Sequence, residues 1–194
     1  MAINLQNIQW KLHLDESTVG DPHDWFKAFA PWIPDSPEVF VDVADYAHVT
    51  DGPVIFLSGH VTCYTLDKTN GRHGLLYERR QPAEGSNAEK LRESLKTLLE
   101  HAARLEGDAT FAIKPKFLAH DLKFIVNNRG IAPNDDATLA AVKPELSALL
   151  DAVYGAGNYA LEREQDKRQR FAVHVKAKSP ATVDGTLQAL SKLG

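Results

Sequence analysis

The chain is poor in the residues that announce a particular chemistry. Its 194 residues include one cysteine, Cys63, and one methionine. A lone cysteine excludes an internal disulfide framework and a cysteine-only metal site, and both exclusions fit a reducing compartment. An excess of positive charge is also lacking. The 22 Lys and Arg residues face 26 Asp and Glu, for a net charge of −4 and a pI near 6.0. With no basic stripe, nucleic acid is not an expected partner. No segment approaches the ~18 consecutive apolar residues of a membrane span. The opening MAINLQNIQW lacks the basic-then-apolar order of a signal peptide. The expectation is a cytoplasmic protein without a membrane partner. The phosphate-cradling G-x-x-x-x-G-K-[ST] and dinucleotide G-x-G-x-x-G motifs are absent, and no motif identifies a cofactor.

What is present is an ordinary globular composition, 43% hydrophobic and 25% charged. Residues 4–14 alternate as a strand, with Ile8, Trp10, Leu12 and Leu14 on one face. Asp21-Pro22 opens a helix with an aromatic stripe of Trp25, Phe26, Phe29 and Trp32, closed by Pro31 and Pro34. Residues 39–49, 54–66 and 74–80 read as three strands, the last two joined through the turn signal Asn70-Gly71. Ser86 and Glu89 form a capping box ahead of a leucine-striped helix that Gly107 closes.

A second series follows: short strands at 111–113 and 121–127, a helix interrupted by Pro144, a hairpin over 159–176 and a last helix from Ser179-Pro180. The expected fold class is α+β, an antiparallel or mixed sheet with helices packed on one face. It forms a single domain over 1–194, whose halves 1–107 and 108–194 look like two β-α-β-β-α versions of one plan.

The densest chemistry lies in the stretch 45–80, DYAHVTDGPVIFLSGHVTCYTLDKTNGRHGLLYERR. A three-residue loop Thr50–Gly52 would set Asp42 opposite His60, with Val39, Val41, Val43, Ile55, Leu57, Val61 and Cys63 on the core face. The other face then gathers Tyr46, His48, His60, Tyr64, Tyr77 and Arg79. It is too apolar for a plain solvated surface and too charged for a core. Aromatic walls around convergent polar groups point to a binding face for a small molecule or a protein partner. Tyr46, His48, Tyr64, Tyr77 and Arg79 are its candidate ligand-binding residues.

Two rival readings use the same face. In one, His60 oriented by Asp42 is a catalytic acid/base pair acting on an anionic substrate. In the other, the face is covered by a second copy in a structural homodimer. No metal site is expected. His60-x-x-Cys63 would point to opposite faces of a strand, and no H-x-H or H-E-x-x-H pattern occurs. The other polar concentration, DLKFIVNNRGIAPNDD, reads as turn and capping chemistry around Asn127, Asn128, Arg129, Asn134 and Asp135.

Overall fold

Seven successive residues of the first strand are buried, although only every second one is apolar. That strand, β1 (Ile8–Leu14), therefore lies deep inside a sheet that is occluded on both faces. The computed structural model describes residues 3–193. The remaining strands are β2 (Phe40–Asp45), β3 (Pro53–Gly59), β4 (Thr62–Asp67), β5 (Gly74–Arg79), β6 (Phe117–Val126), β7 (Tyr159–Arg163) and β8 (Phe171–Ala177). They form one eight-stranded sheet in the order β2-β3-β4-β5-β1-β6-β8-β7, with every neighbouring pair antiparallel.

Five helices pack against one face: α1 (Pro22–Phe29), α2 (Trp32–Asp35), α3 (Asn87–Gly107), α4 (Asp136–Tyr154) and α5 (Val183–Ser191). The fold is α+β, as the patterning predicts. The capping box at Ser86 is formed in both directions, and Asp21 and Asp135 cap α1 and α4. Leu91, Leu95, Leu98, Leu99 and Ala102 of α3 are buried in one core with Trp10, Leu12, Tyr77 and Phe124. In each half the last strand returns beside the first, β5 beside β1 and β8 beside β6. The two first strands pair with each other at the centre.

Several local expectations need correction. Residues 54–66 are two strands, because the chain reverses at His60-Val61. Gly59 permits this corner. A Cβ there would lie 2.3 Å from the Thr62 carbonyl oxygen and 2.8 Å from the Phe40 ring. The reversal places Tyr64 opposite Leu57 and Tyr77 opposite Tyr64, so both tyrosines face the helices. Cys63 is buried as expected, but on the other face, against the Gly59 carbonyl and the Arg80 guanidinium.

A register shift between Phe40 and Asp42 turns Phe40 into the core and leaves Val39 and Val41 57% and 52% exposed. Residues 111–113 form no strand; Phe111 instead packs edge-on against Trp25 at 5.1 Å. Pro144 sits inside a continuous α4, and the last helix starts after Thr182 rather than at Ser179.

Gly59→Ala is expected to destabilise the fold by about 2 kcal/mol or more, because the corner has no room for a methyl group and backbone must move. A denaturant midpoint unchanged from wild type would contradict this account of the corner.

Candidate functional site

The structure disperses the residues gathered by the sequence pattern. Asp42 pairs across the ladder with Ser58, and His60 is exposed in the reversing turn, so the two are not opposite each other. The strand partners meet only from Asp45 and Ile55 onward, which leaves a longer loop than Thr50–Gly52. Tyr46 and His48 lie exposed in that loop with rings 6.3 Å apart. Tyr64 is enclosed by Trp32, Phe40 and Tyr77 and stacks on His101 at 4.3 Å. Burial pushes its phenol far above the usual range, and that of Tyr77 up to about 12. Both act as core residues. Arg79 is half-buried and donates to the Pro82 carbonyl at 3.5 Å.

A different constellation occupies the helix-free face. Three adjacent strands there present a largely polar set of side chains: Gln9, Lys11 and His13 on β1; Ile125, Lys123 and Asp121 on β6; Ala172, His174 and Lys176 on β8. Lys11 is directly opposite Lys123, which is directly opposite His174. Like charges placed opposite each other destabilise a ladder unless compensated. Here each lysine has its own carboxylate, on opposite sides. Lys11 Nζ lies 2.6 Å from Asp67 Oδ2, and Lys123 Nζ lies 3.4 Å from Glu164 Oε2.

Lys11, His13, Asp67, Lys123, Glu164 and His174 line a cleft of about 680 Å3, its open mouth included. The loops after β4 and after β7 supply Thr69, Asn70 and Arg72, and Gln169 and Arg170. No residue of the five helices takes part. Leu76, Ile125 and Ala172 contribute an apolar floor. Lys11 also donates to the carbonyls of Arg72 at 2.6 Å and Thr69 at 3.4 Å, so its three protons tether the β4–β5 loop. Gly74 makes way for that side chain, since a Cβ there would lie 2.9 Å from Lys11 Cε. Burial lowers the Lys11 pKa and the Asp67 charge opposes that shift. Arg72 reaches across to Asp121 at 3.0 Å.

His13 stands apart in this network. Its residue is 4% exposed, and neither ring nitrogen has a hydrogen-bond partner. Its nearest carboxylate, Asp121, is 3.9 Å from Nε2. An unsatisfied buried polar group costs about 1–3 kcal/mol, and such groups call for a functional or solvent explanation. Burial pushes the imidazole pKa down to about 4; Arg72 and Lys11 push in the same direction, and Asp121 and the His73 backbone oppose them. His13 is therefore neutral at pH 7, with one N–H to donate and one nitrogen to accept. The ring of His174 is also held below its ordinary pKa, by burial and then by Lys123. Glu164 is destabilised by burial, yet the Asp166 amide, Lys123 and His174 together keep its carboxyl below the usual range.

Among the described residues, no group of three or more His, Cys, Asp or Glu side chains is arranged to hold a metal ion. No described helix is long and apolar enough to cross a membrane. The polar run DLKFIVNN belongs partly to the cleft through Lys123 and Ile125. Asn128 and Asp135 perform the turn and capping work expected of them.

The depressed His13 pKa predicts a pH effect of definite sign. Below about 6.5 the unfolded chain takes up a proton that the folded ring refuses, so stability is full above that pH and falls as pH drops toward about 4. His101 and His174, whose pKa values are lowered as well, act in the same sense. Histidine-ring NMR should place the His13 midpoint near 4; a midpoint near 6.5 would show that water solvates the ring.

Compared with known proteins, the chain matches no family model, no curated protein and no solved structure.

Proposed function

We propose that the protein binds a small organic molecule in the cleft on the helix-free face of its sheet. One observation carries this reading: His13 is buried, neutral and unpartnered at a wall of the cleft, with a donor and an acceptor to offer. A polar ligand group that reached the ring would satisfy one of these two positions. An apolar floor with a few polar groups is the usual composition of a small-molecule site. The ordered loop tether through Lys11 favours a pre-formed site over a flat protein interface. The acid/base pair of Asp42 and His60 is not carried forward, because the register separates them.

A thermal-shift panel of small carboxylates, phosphates, amines and neutral sugars tests the reading, with each hit followed by histidine-ring NMR. Hits are expected to move the His13 and His174 resonances and leave His48 and His60 in place. Hits that move His48 and His60 alone would return the site to the residue 40–80 hairpins. A panel in which no compound moves His13 would overturn the proposal.

A further inference from the structure

Charge balance within the cleft narrows the ligand class. Four permanent cations line it, and three of them are already neutralised: Lys11 by Asp67, Arg72 by Asp121 and Lys123 by Glu164. The fourth, Arg170, has no ion pair among the described residues. Its Nη1 donates to two neutral amide oxygens, Gln9 Oε1 at 3.0 Å and Asn127 Oδ1 at 3.2 Å. No described residue accepts from its Nε or Nη2. Glu78 accepts from the Asn127 amide at 3.0 Å and lies outside the lining of the cleft. One positive charge is thus left over, on a guanidinium fixed by two hydrogen bonds. Its side-on edge is free, and that edge matches a planar carboxylate in bidentate geometry.

The surface beside Arg170 is apolar. Ala172 follows two residues along the same face of β8 and pairs directly with Ile125, and both are buried. Beyond them, Lys11 and Lys123 send their charged ends in opposite directions, to Asp67 and Glu164, so that their aliphatic stems flank the path onward from Ile125. His13 lies one same-face step past Lys11. From the level of Arg170 to that of His13 is about three such steps, roughly 20 Å of strand, so only a ligand longer than an eight-carbon chain reaches both.

Resting on the small-molecule reading above, we propose that the cleft takes an organic monocarboxylate with an apolar body. The carboxylate pairs with the free edge of Arg170 and the body lies along Ile125 and Ala172, while His13 is left for a second polar group on a longer ligand. A dianion is disfavoured, because its second charge would meet only neutralised cations and would have to displace Asp67, Asp121 or Glu164. An amine would bring a cation to a cleft that already holds a surplus one.

Isothermal titration with octanoate, octanol, octylamine and octanedioate tests this charge class. Octanoate is expected to bind at least tenfold more tightly than the other three. Arg170→Gln should remove that advantage, while the thermal midpoint of the unliganded protein stays near wild type, since the side chain is only half-buried. No octanoate binding, equal binding of octanol or octylamine, or full octanoate affinity in Arg170→Gln overturns the monocarboxylate assignment. If a neutral or cationic probe binds and moves the His13 resonance, the cleft remains the binding site and only the charge class falls.

Discussion

The buried ion pair between Lys11 and Asp67 is the interaction on which the helix-free face depends. Its two groups approach to 2.6 Å with side chains almost fully shielded from water. Taking both charges out of water is expensive, and the pair is tolerated only because its remaining bonding capacity is used. The Lys11 ammonium fills its other two positions with loop carbonyls, and Asp67 accepts from the Thr69 amide and hydroxyl. Removing either partner would leave an uncompensated buried charge, a loss of about 3–5 kcal/mol. The same pair draws the β4–β5 loop against the sheet and fixes the wall of the cleft that carries Arg72.

The two faces of the sheet divide stability and chemistry between them. The helix face buries Trp10, Tyr64, Tyr77 and Phe124 in ring-to-ring contact. Its histidine, His101, has its Nδ1 within reach of both the Thr97 carbonyl and the Tyr64 hydroxyl. The opposite face buries an ion pair, a neutral histidine and a glutamine without a helix to cover them. Apolar residues in those positions would make a more stable sheet. Buried polar groups kept at such a cost, one of them unpartnered, mark a face shaped by binding rather than by folding alone.

Local signals were well legible in the sequence. The alternation of Ile8, Trp10, Leu12 and Leu14, the capping box at Ser86 and the stripe of α3 all stand where their chemistry places them. The hairpin between β4 and β5 also kept its expected register, with Asp67 opposite Gly74. The error at 54–66 came from a two-residue reversal at His60-Val61 with no Asn-Gly or Asp-Gly to announce it. Because side chains alternate, that one missed corner moved Tyr64 and Tyr77 from the imagined binding face into the core. The bulge beside Phe40 did the reverse for Val39 and Val41, which left the expected core face for the surface. Gln9, Lys11 and His13 fall on the polar side of an alternating strand. Their burial follows from β1 lying between β5 and β6, and strand order is a long-range property that periodicity does not encode. The same limit hid the convergence of Lys11 with Lys123 and His174, which come from three distant segments.

The central claim is that His13 is kept for binding at the expense of the fold, and the stability of His13→Leu at pH 7 tests it most directly. Leucine is of similar volume and removes an unsatisfied buried polar ring, so the variant should match wild type or exceed it by about 1 kcal/mol in denaturant unfolding, with the same slope. A loss of more than about 2 kcal/mol would mean that the imidazole holds the sheet together through bonds of its own, and would contradict the account.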